Sequence, residues 1–156
     1  MALLLTAVAT SAMVSVESPA TCVQCAMDRT RCAYSRMVVA YTDGTVTGVC
    51  SLHCAVKEMQ LHMSRQVRSL MVADYSDGKL VDAETATWVV GGRKNGVMRS
   101  VAKWAFGRAE NAQRFVKENG GVVSSFNQAM EATLTETLNQ DAEEQAIEEE
   151  LNRALR

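Results

Sequence analysis

All five cysteines of this 156-residue chain fall between Cys22 and Cys54, and residues 55–156 have none. A disulfide framework would spread through the fold it staples and use an even number of thiols. Five clustered thiols instead call for a chain path that brings short, separate segments to one place. Two pairs stand out: Cys22-Val23-Gln24-Cys25, followed by Ala26-Met27, and Cys50-Ser51-Leu52-His53-Cys54. A tight Cys-x2-Cys turn aims both sulfurs at one ion, and residues four apart at a helix start point the same way, so the two pairs form a metal-ligating pattern. Thiolate, thioether and imidazole together favour Cu(I) first and Zn(II) second. The alternative is a Cys22–Cys25 disulfide with three thiols buried as small hydrophobes.

Cys50 is expected at a helix N-terminus, where the partial positive charge favours a thiolate. His53 reads either as a ligand or as a helix residue beside the site. His62, more than two turns further along, reads as a surface residue, and Cys32, in the polar stretch Arg29–Tyr34, as a bystander. Met37, Met59, Met63 and Met71 fall on apolar faces and are assigned to the core. Met98 differs, because it follows Asn95-Gly96 in a turn from which a thioether could reach across from the second half.

The hydrophobic content of 47% is enough to build a core, and the net charge of −2, with basic residues scattered among acidic ones, leaves no footprint for nucleic acid. The apolar, small-residue run from Met1 to Val16, ending near Ser18-Pro19-Ala20, has the character of a secretory signal without a basic start. It implies export, with a membrane tether at the N-terminus as an option. Pro19-Ala20-Thr21 is a poor match to the residues that precede a lipidated cysteine.

The fold class read from the pattern is α+β: two small ββαβ-like units followed by a C-terminal helix. Met37–Thr42, the Asp43-Gly44 turn and Thr45–Val49 form a hairpin. Ser51 caps a helix from Leu52 to about Met63, with Leu52, Val56, Met59 and Met63 at helical spacing. Val67–Tyr75 is a strand, and Asp77-Gly78 turns the chain into Lys79–Asp82. Thr87–Val90 and Val101–Phe106 are strands, Arg108–Asn119 is a helix closed by Gly120-Gly121, and Val122–Phe126 is the last strand. Gln128–Arg156 reads as helix, with Leu134, Leu138, Ile147, Leu151 and Leu155 as its apolar stripe and a cluster of glutamates as its acidic face. The organisation is therefore residues 1–20 as a signal-like or disordered segment, 21–75 as the first unit with the Cys/Met/His site, 76–126 as the second unit, and 127–156 as an acidic helix with an option for self-association.

Several blocks, in order, carry a family resemblance: Cys22-x2-Cys25-Ala26-Met27-Asp28, Asp43-Gly44, Asp74-Tyr75 with Asp77-Gly78, Trp88-Val89-Val90-Gly91-Gly92, Gly96-Val97-Met98, Ala105-Phe106 and Phe115 to Gly120-Gly121. Over Cys22–Phe126 the chain resembles the NosL family, periplasmic copper chaperones associated with nitrous oxide reductase maturation. The resemblance implies a non-enzymatic protein that binds Cu(I) and delivers it to a periplasmic copper-accepting protein or an ABC-type transporter. It also implies Cys25, Met27 and Met98 as leading ligands; Cys22, Cys50, His53 and Cys54 remain the further candidates from the spacing above, and the Cys50/His53/Cys54 group is richer in thiols than the resemblance leads one to expect. Ala26 and Val97 stand where that family has Gly and Pro. The Cys50/His53/Cys54 group resembles TRASH and YHS metal modules, which makes a structural Zn(II) site with an interaction role the alternative. Thiol–disulfide exchange at Cys22/Cys25 ranks third, because that pair lies in a loop rather than at a helix N-terminus.

Overall fold

In a computed structural model, which describes residues 16–98 and 101–156, two small antiparallel sheets and three helices share the chain. The Met1–Ser15 part of the signal-like run lies outside the described residues. Strands β1 (Met37–Tyr41) and β2 (Val46–Val49) form the hairpin, helix α1 spans Leu52–Leu61, and β3 is Val67–Ala73. After β4 (Leu80–Asp82) come β5 (Thr87–Val90), β6 (Lys103–Phe106), α2 (Ala109–Asn119), β7 (Val122–Ser124) and α3 (Phe126–Ala154). The first sheet runs β2-β1-β3-β4 and the second β6-β5-β7. Hairpin, helix and returning strand thus occur twice, each time with the first strand in the middle. β4 hydrogen-bonds to β3 and extends the first sheet, although it follows residue 75 in sequence.

Local chemistry explains the turns. Gly44 takes φ +88°, and the Asp43 carboxylate accepts from the Thr45 amide at 2.8 Å, closing the hairpin loop. Ser51 is extended and its hydroxyl accepts from Cys54 N, which starts α1 where the sequence places it. The helix stops at His62, short of Met63, which sits in the following turn and is 84% exposed rather than in the core. Phe126 opens α3 instead of ending a strand, because Ser125 and Gln128 form a reciprocal capping box.

Period-two alternation lets the second sheet serve two cores. Trp88 and Ala105 face the main core, which holds the cysteines, Met37, Val39, Tyr41, Val49, Leu52, Leu70 and Val72. Val89, Trp104 and Phe106 face the opposite way, against Ala112 and Phe115 of α2. Tyr75 closes that second core, its ring 4.9–5.6 Å from those of Phe115, Trp104 and Phe106. Asp74 ties the sheets together: it bridges to Ala105, and its carboxylate accepts from Gly107 N at 2.8 Å.

Helix α3 packs through small residues and not through its apolar stripe. The buried positions are Ala129, Thr133 and Thr137, while Leu134, Leu138, Ile147, Leu151 and Leu155 are exposed. The small face allows close approach to α1. The buried threonine hydroxyls donate to the carbonyls one turn back, Thr133 to Ala129 at 2.8 Å and Thr137 to Thr133 at 3.0 Å, so no polar group is left unpaired there.

Candidate metal centre

The Cys-x2-Cys segment is a closed turn built on the edge of the hairpin. Cys22 N donates to Met27 O at 2.9 Å, Ala26 N to Cys22 O at 3.0 Å and Val23 N to Gly48 O at 3.1 Å. Ala26 takes φ +58°, the left-handed region that favours glycine, which accounts for the glycine of the resembling block. Cys50 immediately follows β2, its carbonyl accepting from the Ser35 hydroxyl at 2.9 Å, and Cys54 lies in the first turn of α1.

These local features bring four thiols together. The Sγ atoms of Cys22, Cys25, Cys50 and Cys54 all lie within 4.8 Å of one another, with Cys25–Cys50 and Cys50–Cys54 both at 3.5 Å. A tetrahedron with metal–sulfur bonds of about 2.3 Å has edges of roughly 3.8 Å and a trigonal site edges of roughly 4.0 Å, so the spacing suits either a four-sulfur or a three-sulfur ion. All five cysteines are free thiols, which leaves the Cys22–Cys25 disulfide unformed. Three of the four cluster thiols are buried, while Cys25 is the partly exposed one.

Cys50 is the electrostatic hub. The neighbouring sulfurs of Cys22, Cys32 and Cys54 hold it below the ordinary thiol range, outweighing burial. The partners move the other way: burial first, then the neighbouring sulfurs, push Cys25 up to about 11, and Cys32 and Cys54 also rise, chiefly through the nearby sulfurs of Cys50 and Cys22 respectively. Within the cluster, Cys50 is thus the sulfur most disposed to carry negative charge.

The remaining candidates fall in different places. Met27 is half-buried, and its Sδ accepts from the Cys32 thiol at 3.0 Å. Cys32 lies outside the four-thiol group but packs in the same core, against Met27. The thiol clustering in the sequence was the available signal for it. His53 lies outside the four-thiol group. Its buried Nδ1 and the buried Trp104 Nε1 have no hydrogen-bond partner among the described residues, and both residues line a cavity of about 10 Å³ with Ser35, Ser51, Val97 and Lys103, the size of one water. Burial, then Lys57, lowers the His53 pKa and keeps the imidazole neutral. Met98 sits on the β5–β6 loop with φ +63° and is 37% exposed, next to Val97, which packs on the main core. His62 pairs with Glu58 at 3.4 Å and is partly exposed.

Buried charges that sequence patterning gave no sign of hold the site in place. Arg29 is 0% exposed and donates to Val49 O at 3.2 Å, Met37 O at 3.0 Å, Glu17 O at 2.8 Å, Pro19 O at 2.6 Å and the Glu17 carboxylate. Arg36 donates to the same carboxylate at 3.0 Å and to Gly78 O at 2.9 Å. Burial pushes the Glu17 carboxyl upward, but its backbone hydrogen bond and the two guanidinium groups outweigh this and hold it below the usual carboxylate range. The end of the signal-like stretch is thus joined to both strands of the hairpin. From the other side, the buried Glu58 of α1 accepts from Gln24, between the two cysteines of the turn, at 2.5 Å and from Tyr41 Oη at 3.3 Å.

A model of the NosL family matches residues 13–134. In structure the chain is similar to the crystal structure of the copper chaperone NosL from Shewanella denitrificans, with a TM-score of 0.57 and 21% identity, over 72% of this chain and 91% of that one. At that identity the likeness concerns the fold. No curated protein matches the chain.

Proposed function

This chain belongs to the NosL family, and on that premise we propose that it is a Cu(I)-binding metallochaperone that hands copper to a periplasmic cuproenzyme or an ABC-type transporter, with nitrous oxide reductase maturation as the setting. The observation that carries the reading is four thiols from two separate segments within 4.8 Å, one of them partly exposed. Copper is cargo here, and the residues explain how it could be both held and released. Cys22, Cys50 and Cys54 are buried and positioned by a capped helix and a closed turn. Cys25 offers the reachable sulfur, at which an acceptor's ligand can join the ion before the donor's leaves. Each thiol that ligates copper loses its proton to solvent, with no change in the metal's oxidation state. Export rests on the signal-like run, and the exposed apolar side chains of α3 support self-association or partner docking.

A second reading is favoured by the near-tetrahedral spacing: a structural Zn(II) site that fastens the Cys-x2-Cys turn to α1. Metal analysis of protein purified without added metal, with thermal melting after chelation, separates the two. Stoichiometric zinc and collapse on its removal would favour zinc. For copper, competition with a coloured Cu(I) chelator should show tight binding that Cys25→Ser weakens, and Cys50→Ser/Cys54→Ser should weaken it by at least about 100-fold. Unchanged affinity in the double variant overturns the assignment.

A further inference from the structure

We infer that two uncovered surfaces of this chain are complementary, so that the free half of α3 from one copy docks into a cationic, aromatic groove on a second copy. The inference supplies the contact for the self-association named above and rests on that part of the reading. α3 packs on the body only through its first half: Thr137 is buried, whereas every residue from Asp141 to Arg156 is exposed. The step from Ala129 to Ile147 is five turns at about 3.6 residues per turn, so Ile147, Leu151 and Leu155 continue the face that Ala129, Thr133 and Thr137 bury. Glu144, Ile147, Glu148 and Leu151 fall at i, i+3, i+4 and i+7, which puts two carboxylates and two apolar side chains on one helix face.

The groove has the opposite character. It measures about 350 Å³ and is lined by Arg31, Lys94, Tyr34, Tyr75 and Trp104, with no carboxylate in its walls. Lys94 Nζ lies 5.1 Å from the centre of the Tyr75 ring, and the Tyr34 and Tyr75 rings are 6.1 Å apart. Trp104 is 8% exposed, and its Nε1, which only donates, has no acceptor among the described residues. Among the described residues Arg31 and Lys94 form no ion pair, and neither do Glu144 and Glu148. Two cations and an indole donor set among aromatic rings thus match two carboxylates set beside Ile147 and Leu151. The match is not made within one chain, because α3 is continuous and residues 127–156 contain no Gly or Pro at which it could fold back. Nor do two α3 helices match each other, since that pairing sets glutamate against glutamate. A second copy's groove satisfies both surfaces.

Sedimentation velocity of the full chain, metal-free and under a thiol reductant, tests this over a range of concentrations. The wild type should associate as concentration rises, and raising salt from about 0.05 to about 0.5 M should weaken association at least about fivefold. Arg31→Glu/Lys94→Glu and Glu144→Lys/Glu148→Lys, all at exposed positions, should each weaken it at least about tenfold. An equimolar mixture of the two variants should associate again, because each groove then meets a helix face of opposite charge. A wild type that stays monomeric overturns the inference, and so does association that survives Arg31→Glu/Lys94→Glu in full, which would place the contact elsewhere. Cu(I) affinity is read separately: the four positions lie outside the thiol cluster, so both variants should bind copper as the wild type does, and a wild type that holds no copper overturns the chaperone reading without touching this one.

Discussion

Replacing Gly48 by alanine should damage the protein far more than an ordinary strand glycine would, and the reason is Arg29. A Cβ at position 48 would lie 2.5 Å from Arg29 Nη1, 2.6 Å from its Cζ and 3.0 Å from Pro19 Cδ. The guanidinium has no freedom to retreat, because it is fully buried and donates to four backbone carbonyls and the Glu17 carboxylate. Overpacking a fixed group costs about 1–3 kcal/mol. Displacing the guanidinium instead would strand those carbonyls and part of the Glu17 charge, roughly 3–5 kcal/mol. Gly48→Ala is therefore expected to cost about 2–4 kcal/mol and Arg29→Met roughly 3–5 kcal/mol. The double variant should cost little more than Arg29→Met alone, since the new methyl occupies space the guanidinium has left, giving a coupling of about 2 kcal/mol or more. Urea unfolding at constant m-value measures all four corners of the cycle. A Gly48→Ala chain within about 0.5 kcal/mol of wild type, or a double variant that simply adds, would refute the view that this buried cation fixes the turn to the hairpin.

Two other outcomes follow from the site. At Ala26, φ +58° costs a Cβ-bearing residue roughly 1 kcal/mol, partly offset in a glycine variant by the freer unfolded chain; Ala26→Gly should be neutral to stabilising by up to about 1 kcal/mol and Ala26→Val destabilising by about 1–2 kcal/mol, and equal melting temperatures for all three would contradict the left-handed turn. Cu(I) affinity should rise with pH between about 6 and 8, because the raised Cys25 and Cys54 thiols must surrender their protons to bind, so protons compete with copper as pH falls; chelator competition that shows no pH dependence would contradict ligation through these two thiols.

Local signals carried most of the fold. Asp43-Gly44, Ser51 and Gly120-Gly121 mark turns and caps through backbone chemistry that acts within a few residues, so the order of strands and helices could be read directly. The Ser125–Gln128 capping box was equally local, yet the β-rich Val122–Phe126 run masked it. On α3 the apolar stripe gave no sign of the packed face, because the close crossing with α1 selects Ala129, Thr133 and Thr137 by size. At the site, spacing was enough to pair Cys22/Cys25 with Cys50/Cys54. The position of Cys32 against Met27, the cavity beside His53 and the burial of Arg29 and Glu58 depend on how distant segments meet, and periodicity carries no information about that.

Copper K-edge X-ray absorption on the Cu(I)-loaded chain tests the central claim most directly. Convergence of the thiols of Cys22, Cys25, Cys50 and Cys54 predicts a first shell of sulfur alone, at about 2.2–2.3 Å, unchanged by His53→Ala. A shell containing imidazole or oxygen donors, with the sulfur contribution intact after Cys50→Ser, would contradict it.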